Sequence, residues 1–321
     1  MIAVVGGAGM SVKVRMLPRE EEFGGPVMGD TFDYDTLNVA AKVAQGDEIQ
    51  VENSGSAFNI ACHLAEMGKD VALASVVADD ALGMAVLEQL KKAGVDASHV
   101  KRVEGSTPVQ VELLNVLNDP QMVFGNSRLH ETMTPELAAQ WEELLETSEA
   151  IVMDGSLPQE TMEYIVEKYG KNGGKRLFFD PAGHEGAVKA RGLVGGFYCV
   201  MPGRTEAEAM LKKTVLSADQ LMEAGAAFEE KGVEKAVITI KGGGLYYKCG
   251  ISEGVLAPER VLSFAGTAGA GDMVSAAVVA ADLEGRAFED TCGFAMEKAA
   301  EFLAGRSDER LIDKLNEKGK A

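Results

Sequence analysis

Ala265-Gly266-Thr267-Ala268-Gly269-Ala270-Gly271-Asp272 runs directly into Met273–Leu283, a stretch built almost wholly of Ala, Val and Met. Residues that small and apolar predict a helix buried on every side. A Gly-Ala-Gly turn opening into a helix leaves the first-turn N–H groups without intrahelical acceptors, all pointing at one spot. Small side chains let a phosphate approach that spot, and the helix macrodipole adds partial positive charge. An acid closing the turn is out of place in a phosphate site unless it performs chemistry. Beside an anion hole, a carboxylate can take the proton from an attacking hydroxyl while the amides stabilise a transferring phosphoryl group. On local chemistry alone, Asp272 serves equally well as a helix cap.

Outward from this turn, strand-like and helix-like segments alternate. Ile2–Val5, Val71–Val77, Ala150–Met153, Arg176–Phe179, Phe197–Met201 and Ala236–Ile240 are apolar, strand-length and bounded by turn residues. Ala57–Glu66, Leu82–Ala93, Pro135–Leu145, Gln159–Tyr169 and Ala218–Lys231 have helical period, and Thr134 before Pro135 is an N-cap before a first-turn proline. This alternation predicts an α/β fold, a mostly parallel sheet covered on both faces. Two regions break the rhythm. Residues 12–52 hold polar strand candidates without helices, and Val109–Phe124 reads as a hairpin turning at Asn118-Asp119-Pro120. Antiparallel strands there would form a small β lid. Asp308–Ala321 is charged and predicts a surface helix.

The chain has 321 residues, 46% of them hydrophobic and 25% charged, as in an ordinary globular protein. A formal net charge of −19 speaks against nucleic acid as a partner, because replacing its counterions takes Lys and Arg. No apolar run approaches the ~20 residues needed to cross a bilayer, so no membrane partner is expected. The opening MIAVVGGAGM lacks the basic region of a signal peptide and reads as a buried first strand. Cys62, Cys199, Cys249 and Cys292 are scattered without metal-ligand spacing, which predicts reduced core thiols and a cytoplasmic setting. Gly6-Gly7-Ala8-Gly9 after the first strand suggests a dinucleotide fingerprint, but position 12 is Val and no helix follows. No Walker A sequence occurs.

The turn at 265–272 resembles the C-terminal signature of the PfkB (ribokinase-like) carbohydrate kinases, D/N-x-x-G-A-G-D, whose Asp is the base. Gly269, Ala270, Gly271 and Asp272 match, and Gly266 departs. Far upstream, Ser54-Gly55-Ser56-Ala57-Phe58-Asn59-Ile60-Ala61 resembles the family's G-G-x-x-x-N-x-A, with Gly55 and Asn59 at the acceptor sugar. A glycine lets the chain pass close to a sugar ring, and an Asn side chain both donates to and accepts from hydroxyls. Val200-Met201-Pro202-Gly203-Arg204-Thr205-Glu206 resembles P-N-x-x-E, which assigns Glu206 to Mg²⁺ through water; Gly203 stands for the Asn. Ile238–Gly244 resembles the nucleotide loop V-T-x-G-x-x-G. The resemblance places ATP at Thr239, Lys241, Gly242, Gly244 and Thr267. Lys241 stands where Gly is usual, either solvated or reaching a phosphate as a point charge. Together the motifs span Val4 to about Leu303, implying one ribokinase-like three-layer α/β/α kinase domain over 1–321, with a lid from about 12–52 and 109–124.

Within the family the pattern is nearest the pseudouridine kinase branch. Gly6–Lys13 resembles G-G-A-N-x-D-x-K, Asp154-Gly155-Ser156-Leu157-Pro158 resembles D-x-N-L-P, and Asp180-Pro181-Ala182-Gly183 resembles D-P-V-S. The resemblance implies transfer of the ATP γ-phosphate to a hydroxymethyl group of a ribose-like or pseudouridine-like acceptor. It places that acceptor at Ser11, Lys13, Gly55, Asn59 and Ser156. Ser11 replaces an Asp that grips ribose hydroxyls, and Ser156 replaces an Asn. Losing a carboxylate removes charge-assisted hydrogen bonds, so altered specificity is expected. A homodimer paired through lids and a monovalent cation such as K⁺ beside the anion hole are further implications of the resemblance. The alternative is a catalytically weakened ribokinase-fold protein that senses a sugar or nucleoside.

Overall fold

A computed structural model describes residues 1–15, 48–114, 120–240, 244–257 and 269–306. Lys241, Gly242, Gly266, Thr267, most of the lid segment 12–52, the turn expected at Asn118-Asp119 and the helix expected over Asp308–Ala321 lie outside the described residues.

The main sheet has nine strands: β1 (Ile2–Val5), β4 (Val71–Ala78), β5 (Val100–Val103), β8 (Ala150–Asp154), β9 (Arg176–Asp180), β10 (Cys199–Val200), β11 (Lys235–Ile240), β12 (Gly244–Cys249) and β13 (Ser252–Leu256). Their order is β5-β4-β1-β8-β9-β10-β11-β12-β13. Every pair from β5 to β11 is parallel, and the last two pairs are antiparallel. All eight residues of β4 are buried, as expected of a central strand covered on both faces.

Ten α-helices are described. On one face lie α1 (Ser56–Glu66), α2 (Ala81–Ala93), α9 (Ala270–Leu283) and α10 (Phe288–Arg306), packed around Ile60, Leu64, Leu90, Val278 and Phe288. On the other lie α3 (Pro135–Ala138), α4 (Glu142–Thr147), α5 (Gln159–Tyr169), α6 (His184–Lys189), α7 (Arg204–Leu211) and α8 (Ala218–Glu230), around Trp141, Ile165, Phe179, Phe197 and Phe228. The architecture is the three-layer α/β/α ribokinase-like fold, with a mixed, mostly parallel central sheet and a smaller lid sheet. α9 is buried from Met273 to Asp282, and its Ala and Val side chains let it lie close to α1 and α10.

Two elements differ from the sequence expectation. The helix expected over Pro135–Leu145 breaks into α3, a 3₁₀ turn at Ala139–Trp141, and α4. Ala138, Trp141, Leu144 and Leu145 are all buried, so one apolar face persists, but Trp141 at φ −94° and ψ 6° leaves the α region for the bridge region and interrupts the helix. The strand expected over Phe197–Met201 shortens to β10, bounded by the turn Val194–Gly196 and by Pro202, which has no N–H to give.

The lid sheet has the order β3-β2-β6-β7, with β2 (Gly9–Arg15), β3 (Glu48–Ser54), β6 (Val109–Leu114) and β7 (Pro120–Asn126). β6 and β7 are antiparallel, as the hairpin reading expects, and Pro120 opens β7 opposite Leu114. After Gly6–Ala8 the chain enters strand β2, not a helix, so these glycines build no dinucleotide-binding turn. Gly9 meets the backbone closely: a Cβ there would stand 2.5 Å from the Pro108 carbonyl oxygen.

Candidate active site

The sheet order turns at β1. The chain passes from β1 to β4 on one side and later returns to β8 on the other. Crevices at such points, outside the carboxyl ends of parallel strands, are where open α/β sheets bind ligands. Gly7 after β1, Asp154 at the end of β8, Asp180 at the end of β9, Met201 after β10 and Thr239 in β11 all line one cavity of about 640 Å³. That volume suits small-molecule ligands.

Two helix N-termini meet on its floor. α9 starts from Gly269, whose φ of 85° is left-handed, and places Gly269, Gly271 and Asp272 on the cavity. α1 starts from Gly55 with φ 114°, where a Cβ would collide with the Gly7 carbonyl. From α1, the Ser56 hydroxyl donates to Asp272 Oδ1 at 2.6 Å and the Asn59 amide donates to Oδ2 at 2.7 Å. Desolvation pushes the Asp272 carboxyl up to about 6; the Ser56 and Asn59 bonds pull it down, and the charges of Asp154 and Glu206 push it up.

Asp154 holds three segments together. Its carboxylate accepts from the N–H of Gly7 at 3.1 Å, Ala57 at 2.8 Å and Ser156 at 2.9 Å, and also from the Ser156 hydroxyl. Any side chain at Gly6 would fall onto that carboxylate. Asp180 accepts from Ser275 Oγ of α9 at 2.6 Å and from the Ala182 N–H at 2.8 Å. Burial, then the charges of Asp272 and Glu206, push it well above the usual carboxylate range. Glu206, in the first turn of α7, accepts from Gly183 N–H at 2.7 Å and Gly203 N–H at 2.5 Å, one bond on each oxygen. His130 Nε2 lies 3.3 Å from the Ala8 carbonyl, and burial lowers its imidazole against the pull of Asp154.

The residues expected from sequence gather here unevenly. Gly269, Gly271, Asp272, Gly55, Asn59, Ser11, Lys13, Ser156, Glu206 and Thr239 line the cavity. Ala270 contributes only its place in the first turn of α9, and Gly244 sits opposite Ile240 at the start of β12, away from the cavity lining. Ser156 turns its hydroxyl back to Asp154, and Lys13 is paired with Glu52 at 2.5 Å. Sequence reasoning assigned no role to Ser56, Asp154, Asp180, His130, Glu52 or Glu112. Asp154 and Asp180 had a signal, since each ends an apolar strand at the edge of the expected cleft.

No group of three or more His, Cys, Asp or Glu suited to hold a metal occurs among the described residues. Mg²⁺ carried by a nucleotide needs only one or two carboxylates besides phosphates and water, and Glu206, on the cavity wall, could supply one.

Residues 25–309 match the family described as pfkB family carbohydrate kinase. The chain is 24% identical over 265 residues to a pseudouridine kinase of Escherichia coli, covering 82% of this chain and 83% of that one. It is 30% identical over 258 residues to a 2-dehydro-3-deoxygluconokinase of Bacillus subtilis, covering 74% and 76%. The crystal structure of a ribokinase from Thermotoga maritima superposes with a TM-score of 0.73 at 19% identity, covering 97% of this chain and 95% of that one. The family match over this ribokinase-like fold defines the class, a phosphotransferase. The chain belongs to the pfkB family of carbohydrate kinases, whose general activity is ATP-dependent phosphorylation of sugars or nucleosides with Mg²⁺.

Proposed function

We propose that the chain transfers the ATP γ-phosphate to a hydroxymethyl group of a ribose-like or pseudouridine-like acceptor, with Asp272 as general base. The observation that carries this is the Asp272 carboxylate, held by Ser56 and Asn59 at the start of α9 with its proton affinity raised to about 6. Two fixed donors aim the carboxylate, and a base tuned toward neutrality both holds and releases a proton readily. The acceptor lies beneath the lid against Ser11, Gly55 and Asn59. Asp272 takes its hydroxyl proton as the alkoxide oxygen attacks the γ-phosphorus in line and ADP leaves. The first-turn amides from Gly269 to Gly271 face the charge that spreads over the phosphoryl oxygens. Mg²⁺, when bound with the nucleotide, neutralises phosphate charge; Glu206 would hold it through water. Thr239, with Lys241, Gly242, Gly244 and Thr267, belongs to the nucleotide end. A monovalent cation such as K⁺ beside the anion hole completes this reading.

The whole chain works as one kinase unit, and we assign the lid to pairing with a second copy. Met10, Val12 and Val14 of β2, Val51 and Ile49 of β3, Val111 and Leu113 of β6 and Phe124 of β7 align in register on one face of the lid sheet. Ile49, Val51 and Phe124 are 63%, 61% and 55% exposed. A sheet face that apolar fits burial against a like face.

Asp272→Asn tests the chemistry. ADP release with ribose or pseudouridine should fall by about 100-fold or more, the scale of a lost general base. A rate near wild type removes Asp272 from that role. A second reading, the weakened sensor, draws support from Ser156 and Lys13, both engaged within the protein. It prevails if ribose and pseudouridine bind yet no ADP forms.

A further inference from the structure

Glu112 is a carboxylate that the phosphoryl-transfer chemistry does not use. It sits on lid strand β6, lines the cavity and is only 7% exposed. Burying a carboxylate is costly unless it is paired or fully hydrogen-bonded. Here the Gln110 amide donates to Oε1 at 3.0 Å and the Ser11 hydroxyl donates to the same oxygen at 3.4 Å. Among the described residues no cation pairs with it. Lys13, its opposite number in the β2–β6 register, gives its ammonium to Glu52 instead. Among the described residues Oε2 has no hydrogen-bond partner.

The surrounding chemistry selects what could satisfy that oxygen. The Ser11 proton is committed to Glu112, so Ser11 offers its remaining lone pairs, and this patch of wall presents acceptors. Lysines are the cations nearest at hand, and both are engaged: Lys13 with Glu52, and Lys189 with the Leu157 carbonyl at 2.7 Å. No arginine lines the cavity among the described residues. A carboxylate on the acceptor molecule would meet the Glu112 charge, which no cation pairs among the described residues, while the Lys13 charge beside it is already matched by Glu52. A hydroxyl can donate to Oε2 and brings no charge.

We propose that Glu112 determines acceptor specificity: its Oε2 accepts a hydrogen bond from a hydroxyl of an uncharged sugar or nucleoside, and the wall it forms with Ser11 excludes acid sugars. This deepens the kinase reading and rests on it for the location of the acceptor. The loss of a carboxylate at position 11 is thereby answered from the neighbouring strand.

The test is calorimetric binding in the presence of Mg²⁺ and a non-hydrolysable ATP analogue, alongside ADP release with ATP. The probes are ribose, pseudouridine, guanosine and 2-dehydro-3-deoxygluconate. Wild type should bind at least one of the first three and not the acid sugar. Glu112→Gln should weaken that binding about 10- to 100-fold, the scale of a lost charge-assisted hydrogen bond, and narrow the gap to the acid sugar. Glu112→Asp should retain part of the affinity and serves if the amide variant fails to fold. Tighter binding of the acid sugar, no binding of any uncharged probe, or affinity within twofold of wild type in both variants overturns the inference. Binding that depends on Glu112 without ADP formation supports it and sinks the kinase reading alone.

Discussion

At Asp272, burial and hydrogen bonding pull in opposite directions, and burial wins. An aspartate in an unfolded chain titrates near about 3.9, whereas this one is raised to about 6 in the fold. Two consequences follow from the sign. As the proposed base, Asp272 works only as the carboxylate, so log kcat/KM should fall with unit slope as pH drops below about 6; a flat profile down to pH 5 would exclude it. For stability, the folded chain holds a proton between those pH values that the unfolded chain has lost. That contribution is present at low pH and disappears as pH rises through about 6. Asp272→Asn should therefore melt about 2–4 °C above wild type at pH 8, with the gap closing toward pH 5. A lower Tm at pH 8 contradicts this. Asp154 is a structural anchor. Asp154→Ala strands the amides of Gly7, Ala57 and Ser156 and should cost about 3 kcal/mol or more, read as a lower urea midpoint. That Asp272 and Asn59 meet at one cavity was legible because each sits in a motif of the family resemblance. Glu112 and His130 were not. Their partners, Ser11 and Ala8, lie 101 and 122 residues away, and only the tertiary fold brings them together.

Among the elements, the buried strands were legible because β1, β4, β8 and β9 are unbroken apolar runs ending in turn residues or acids. Period did not reveal the break at Ala139–Trp141, because Ala138, Trp141, Leu144 and Leu145 keep one helical face across it. The lid was legible as a hairpin plus polar strands. Its pairing was not, because β2 lies between β3 and β6, parallel to one and antiparallel to the other. The apolar face this creates makes a prediction at its own scale. Val51→Asp puts a charge in the middle of that face and should convert a homodimer to a monomer in analytical ultracentrifugation. A wild type that sediments as a monomer at micromolar concentration would end the lid-pairing proposal.

For the molecule as a whole, a net charge of −19 and a floor shared by Asp154, Asp180, Glu206 and Asp272 set the folded state against itself. Screening should relieve this, so Tm should be higher in 0.5 M than in 0.05 M sodium chloride, roughly as the Debye length shrinks from about 14 to 4 Å; a fall in Tm with salt would contradict it. Among the described residues no helix is long and apolar enough to cross a membrane. The bond between Asn59 and Asp272 spans 213 residues of chain, and that has a bearing on synthesis. A growing chain meets α1 long before α9. On the kinase reading proposed above, a copy that has not yet made α9 lacks the acid and the amides needed to spend a nucleotide, and competence begins when α9 closes against α1.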